Sequence, residues 1–242
     1  MVFRLTRRID YFQSATDGRI KLDSFVRILQ NAALDHVHEA DRDANVIIAA
    51  GYAWILNKII IDIDRYPRYG EIVTVNTWHR GLKGFKSYRE YEILVGNKKI
   101  ATAASSWLFL NLAKRRVVKI PKETDDLYGI VPKYALGRDI EQWRPDKNPG
   151  SDFEVDITTR RSDYDMLGHV NNAVYFDYLD TLVSAFQGDG FAMRTVAIQY
   201  NREIGREVTL LKAGLKDCGN GISAFSIHDG STVYACGDIE LA

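Results

Sequence analysis

The chain has 242 residues, 46% hydrophobic and 26% charged, with Lys plus Arg and Asp plus Glu both totalling 32. Such a chain can bury the core of one large domain or of two of about 120 residues, and its balanced charge provides no net field to attract nucleic acid. The opening residues lack the apolar run of a signal peptide and no stretch approaches the ~20 apolar residues of a membrane span, so a cytoplasmic protein without a membrane span is expected.

Residues 3–12 read as a first strand, and a turn at Thr16-Asp17-Gly18 leads into a helix starting near Asp23 or Ser24. Its apolar face is Leu22, Phe25, Val26, Leu29, Ala33 and Val37, at the spacing of a core-facing helix. An irregular stretch through Gly51 precedes strand-like runs at 54–63, 71–78, 87–95 and 100–110, with turns at Tyr66-Pro67, at Gly81 with Gly84, and at Gly96-Asn97. Four of the five prolines fall between 121 and 150 without sustained periodicity, which reads as a linker between a domain at 1–120 and one at 151–242. The second half repeats the plan: a strand at 153–159, a helix at 172–186 with Val174, Tyr178, Leu179, Leu182 and Phe186 on its apolar face, and strands at 194–201, 207–215, 221–228 and 232–239. Asn220-Gly221 and Asp229-Gly230 mark two hairpins, since both dipeptides accept the positive φ of tight turns. Cys218 and Cys236 are read as free thiols rather than a structural disulfide, and with no C-x-x-C or H-x-x-x-H pairing no metal or cofactor is expected.

The repeat is testable by register. Gly18 laid on Gly168 brings Ile20 onto Val170 and Leu29 onto Leu179, an offset of 168 − 18 = 150, while Gly70 and Gly205 align at 135. In that frame Ala15 faces Asp165 and Arg19 faces His169, so the first copy lacks the reactive groups of the second.

Those groups lie in Asp163-Tyr164-Asp165-Met166-Leu167-Gly168-His169-Val170-Asn171-Asn172-Ala173-Val174-Tyr175, the approach to the second helix. A histidine near an aspartate, beside a helix N-terminus, supplies a titratable base with an orienting partner and N–H donors for a developing oxyanion. Asn171 or Asn172 can cap the helix. Asp163 and Tyr175 are read as structural.

The order strand, long apolar helix, antiparallel sheet, twice over, with D-x-x-x-H-V-N-N-x-x-Y before the second helix, resembles the acyl-acyl carrier protein thioesterases. Further carriers of the resemblance are Asp64-Arg65-Tyr66-Pro67-Arg68-Tyr69-Gly70-Glu71, Ala104-Ser105-Ser106-Trp107, Lys114-Arg115-Arg116 with Ile120-Pro121, and Gln199-Tyr200-Asn201-Arg202-Glu203. The resemblance implies an α+β fold of two tandem hot-dog domains, each an antiparallel sheet wrapped around a long central helix. The first would bind the acyl chain and the second would catalyse hydrolysis of fatty acyl thioesters of acyl carrier protein. It implies Asp165, His169 and Glu203 as catalytic residues. Leu167, Asn171 and Asn172 are the expected substrate-facing residues, although the family carries an asparagine where this chain has Leu167. No cofactor is implied; acyl carrier protein is the implied partner, and a further homodimer is left open. The rival readings are a non-catalytic acyl-binding hot-dog protein and a hot-dog acyl-coenzyme A thioesterase or hydratase.

Overall fold

The computed structural model describes residues 1–39, 44–188 and 190–242. The chain divides into two compact units, one of Met1–Ile20 with Arg27–Gln142, the other of Lys21–Val26 with Trp143–Ala242.

In the first unit the strands are β1 (Val2–Arg8), β2 (Tyr52–Ile63), β3 (Ile72–Lys83), β4 (Lys86–Val95) and β5 (Lys98–Asn111), with the short β6 (Arg116–Val118) paired to β5. They run antiparallel in the order β1-β3-β4-β5-β2. In the second unit β7 (Phe153–Thr158), β8 (Met193–Tyr200), β9 (Leu210–Asp217), β10 (Ile222–His228) and β11 (Val233–Leu241) run antiparallel in the order β7-β9-β10-β11-β8. Counted from each unit's first strand, both orders are first, third, fourth, fifth, second. The fold is thus antiparallel sheet with few helices.

Helix α1 (Leu22–Glu39) buries the stripe read from its sequence, with Phe25, Val26 and Leu29 fully enclosed. Helix α4 (Val174–Gln187) packs on β7 and β9 and buries Phe176, Leu179, Leu182 and Val183, each such side chain contributing about 1.5–3 kcal/mol of transfer free energy. Phe186, expected on that face, is instead 47% exposed and rests against Phe153 at a ring separation of 5.4 Å, because it lies in the helix's final turn.

Three short elements escape the periodicity: α2 (Ala44–Ala49), β6 and α3 (Glu123–Tyr128). Strand β3 also runs on through Gly81, which sits at a bulge with φ +127° and is not a turn residue; the turn comes at Gly84. The proline-rich stretch is tied to the first unit as far as Gln142: Trp78 Nε1 donates to Lys133 O (2.9 Å), the Ala135 N–H to Glu90 (3.0 Å), and Ile140 is fully buried. Burial pushes the Glu90 carboxyl up to about 7. Both cysteines are free, Cys218 exposed and Cys236 buried, and no described helix is long and apolar enough to cross a membrane.

A buried polar layer lies at the end of α1. Arg89 donates to His36 Nδ1 (2.9 Å) and Thr77 Oγ1 (3.3 Å), while His36 stacks on Phe3. Burial, then the charge of Arg89, lowers His36 from 6.5 to about 3. The unfolded chain therefore takes up a proton below pH 6.5 that the folded chain refuses, and stability falls as the pH drops through that window. His36→Gln retains an acceptor for Arg89 without the titration. The urea midpoint of the native protein is expected to fall relative to this variant between pH 6.5 and about 4, and a constant difference would remove His36 as the cause.

Candidate active site

After β7 the chain turns through Arg161–Asp163, and the carboxylate of Asp163 ties this turn to α4. It is 2% exposed and accepts from the Arg160 N–H (2.8 Å), Arg160 Nε (3.1 Å) and the Tyr178 hydroxyl of α4 (2.8 Å), while its carbonyl accepts from the Asn171 N–H (2.8 Å). A buried carboxylate so bonded cannot be truncated cheaply. Asp163→Ala is expected to cost about 1–3 kcal/mol in urea unfolding, because the Tyr178 hydroxyl is left without its acceptor while the exposed Arg160 keeps Asp177. Residue order alone makes Asp163 no more than a loop charge. Its one signal in the sequence is the spacing to Tyr178, a single strand-to-helix crossing away.

Between Asp163 and Asn171 the chain forms a closed loop. Tyr164 bridges Val170, the Asp165 N–H donates to His169 O (2.9 Å), and the Gly168 N–H donates to Asp165 O (3.0 Å) with Gly168 at φ +82°. Asp165 Oδ1 accepts from the Leu167 N–H (2.9 Å) and, at 3.4 Å, from that of His169. One oxygen of this carboxylate is thus taken by the backbone amides of its own turn.

The imidazole finds its partner across the sheet end. Val170 N–H donates to Ile204 O (3.0 Å), and Ile204 is fully buried, which anchors the segment after β8 beside the loop. His169 Nε2 then lies 3.2 Å from Glu203 Oε2, both side chains about one-third exposed. An imidazole whose Nε2–H points at a carboxylate presents Nδ1 as its lone-pair nitrogen.

Asn171 Oδ1 accepts from the Ala173 N–H (3.0 Å), and Asn172 O accepts from the Tyr200 hydroxyl (2.9 Å). Neither asparagine occupies the N-cap of α4, which is Ala173 without a side-chain cap. The Val174 N–H donates to Asn171 O, so a turn centred on the asparagines precedes the first helical residue. Leu167 and Met166 project outward at the loop tip, 41% and 88% exposed. Tyr175, read as a packing residue, is buried and stands T-shaped against Tyr200 at 5.1 Å. Burial, then the charges of Tyr234, Glu203 and Asp165, keep its phenol protonated far above the ordinary range.

The first unit builds the same loop without the chemistry. Ala15 N–H donates to Arg19 O (2.7 Å), Gly18 N–H to Ala15 O (2.9 Å), Ser14 bridges Ile20, and Ile20 N–H donates to Pro67 O (2.9 Å). Every partner within that loop sits 150 residues before its counterpart, and an arginine stands where the second unit has His169.

Residues 1–128 match the acyl-ACP thioesterase N-terminal domain and residues 146–220 the acyl-ACP thioesterase C-terminal domain, and the chain belongs to the acyl-ACP thioesterase family. Among curated proteins it is 25% identical over 256 residues to the chloroplastic palmitoyl-acyl carrier protein thioesterase of Arabidopsis thaliana, covering 99% of this chain and 59% of that protein. It is likewise 25% identical over 244 residues to the chloroplastic dodecanoyl-[acyl-carrier-protein] hydrolase of Cinnamomum camphora, covering 90% and 62%. The chain thus spans about three-fifths of the length of these relatives. Its fold is that of the solved acyl-ACP thioesterase from Bacteroides thetaiotaomicron (TM-score 0.84, 20% identity, 100% of this chain and 98% of that one) and of the 12:0-ACP thioesterase from Umbellularia californica (TM-score 0.84, 20% identity, 100% and 97%).

Proposed function

We propose that the chain is an acyl-[acyl carrier protein] thioesterase that hydrolyses fatty acyl thioesters to the free fatty acid and the carrier protein thiol. The observation that carries this reading is the His169–Glu203 pair at 3.2 Å beside the start of α4, in a chain of this family. His169 Nδ1 takes a proton from water as its oxygen attacks the thioester carbonyl. The Glu203 carboxylate balances the imidazolium that forms, and the carbon–sulfur bond then breaks as the proton passes to the departing thiol. Of the backbone N–H groups leading into α4, those of Asn171, Ala173 and Val174 are bonded within the turn, and that of Asn172 is the donor for the oxyanion. Asp165 acts by holding the loop that presents His169, while Asn171 and Asn172 shape the oxyanion end.

The tandem arrangement belongs to the same proposal. Each unit is a hot-dog domain with α1 or α4 as its central helix, which the common strand order and the buried helix stripes support. Residues 1–120 bind the acyl chain and 151–242 carry the chemistry, with the stretch between them packed on the first unit as far as Gln142. The exposed cations Lys114, Arg115 and Arg116 around the β5–β6 turn are the docking surface for the acidic carrier.

The deciding experiment is turnover on acyl carrier protein and coenzyme A thioesters of several chain lengths. Hydrolysis with preference for the carrier supports the reading; a protein that binds acyl groups but turns none over overturns it. Leu167 is the feature that favours that rival, because an isobutyl group cannot hold water or donate to an oxygen. Its exposure lets Leu167→Asn enter without a packing penalty, so stability is expected to stay within about 0.5 kcal/mol while turnover rises severalfold. An unchanged rate would assign the family asparagine's role to another group.

A further inference from the structure

The strand end that presents Glu203 reaches the loop of His169 at three points. Tyr200 closes β8, paired with Ala235 of β11, and its hydroxyl donates to Asn172 O (2.9 Å). Glu203 meets His169, and Ile204 O accepts the Val170 N–H (3.0 Å). The first unit builds the same strand end in its backbone. There the Asp64 and Arg65 N–H groups donate to Ile100 O (2.9 and 3.1 Å), as those of Asn201 and Arg202 donate to Tyr234 O (2.8 and 3.2 Å). Pro67 O takes the Ile20 N–H as Ile204 O takes that of Val170. At this strand end the offset is 201 − 64 = 137, which puts Ile63, paired with Ala101, where Tyr200 stands and Tyr66 where Glu203 stands. The strand end is thus completed without a hydroxyl in the first unit, and the phenol occurs with His169 and Glu203 in the reactive copy.

Asn172 lies between two peptide planes. The first carries its N–H, the one between Asn171 and Val174 that meets no acceptor among the described residues, and is held through Asn171 O by the Val174 N–H (2.9 Å). The second carries Asn172 O, held by Tyr200, and the Ala173 N–H, held by Asn171 Oδ1 (3.0 Å). The Tyr175 ring stands T-shaped against the Tyr200 ring at 5.1 Å and keeps the phenol in place. With both planes fixed the Asn172 N–H has one direction, and a donor stabilises an oxyanion most when it is aimed before the charge develops. We infer that Tyr200 is a positioning residue for the reaction: its hydroxyl, bonded to Asn172 O, holds the Asn172 N–H toward the thioester oxygen. The inference rests on the reading of the protein as an acyl thioesterase and adds a residue to its oxyanion end.

The test uses the full chain and Tyr200→Phe, which keeps the ring against Tyr175 and removes the bond to Asn172 O. On carrier protein thioesters kcat is expected to fall about three- to thirtyfold with KM within about twofold, a part of the 10²–10³-fold that loss of an oxyanion donor itself costs. Two readouts separate aim from packing. A carrier protein whose arm bears a difluoromethylene ketone, which hydrates to a tetrahedral centre, is expected to bind the variant more weakly by the same factor as kcat. The matching thioether, which has no carbonyl oxygen, is expected to bind both proteins alike. The acid limb of the kcat profile against pH is expected to stay in place in Tyr200→Phe and to move in Glu203→Gln, because the phenol acts on the oxyanion donor and not on the imidazole. Native kcat in Tyr200→Phe, an equal loss of affinity for ketone and thioether, or a displaced acid limb in that variant overturns the inference. Should the protein hydrolyse none of the thioesters, the thioesterase reading fails separately. The order parameter of the Asn172 amide from nitrogen-15 relaxation then decides the positioning: a drop in Tyr200→Phe supports it and an equal value overturns it.

Discussion

His169→Ala is expected to lower kcat on acyl carrier protein thioesters by about 10²–10⁴-fold, the range supplied by a positioned general base. The native fold should persist, because the side chain is about one-third exposed and its ion pair with Glu203 lies at the surface end of the sheet. The loop is closed by backbone bonds between Asp165, Gly168 and His169 and by Val170 on Ile204, none of which needs the imidazole. Circular dichroism and urea unfolding should therefore match the native protein while single-turnover hydrolysis collapses. Retention of more than about a tenth of the native rate would transfer the base role to another group.

The second large effect separates two carboxylates that look alike in sequence. Glu203→Gln is expected to reduce kcat about 10²-fold with KM little changed, because the amide can neither balance an imidazolium nor hold the imidazole in one tautomer. Asp165→Asn keeps an Oδ1 acceptor for the Leu167 and His169 amides, so it is expected to lose less than Glu203→Gln. Asp165→Ala, which removes that acceptor, should lose more than Asp165→Asn and should loosen the loop against proteolysis. Equal losses for Asp165→Asn and Glu203→Gln would show that Asp165 takes part in the chemistry itself, as nucleophile or base.

The elements with strong periodicity are legible in the chain. The stripe of α1 and the hairpins at Asn220-Gly221 and Asp229-Gly230 can be read because side-chain spacing and positive-φ residues act locally, and Asn220 and Gly221 do lie at φ +55° and +75°. Helices α2 and α3 cannot, since six residues make barely two turns and no moment accumulates. Phe186 shows the converse error: its helical spacing is right, but the last turn of α4 leaves it half in solvent.

The same division runs through the candidate site. The loop from Asp163 to Asn171, the 150-residue register and the blank first copy are properties of residue order, because a closed loop with glycine at positive φ is written in adjacent residues. Order along the chain also tells that His169 has an acid nearby, but not which one. Asp165, four residues away, is drawn off by the amides of its own turn; Glu203, thirty-four residues on, reaches the imidazole because Ile204 is buried and pairs with Val170. That choice, like the burial of Asp163, depends on which polar groups compete for each partner once the strands have paired, and only the tertiary structure decides it.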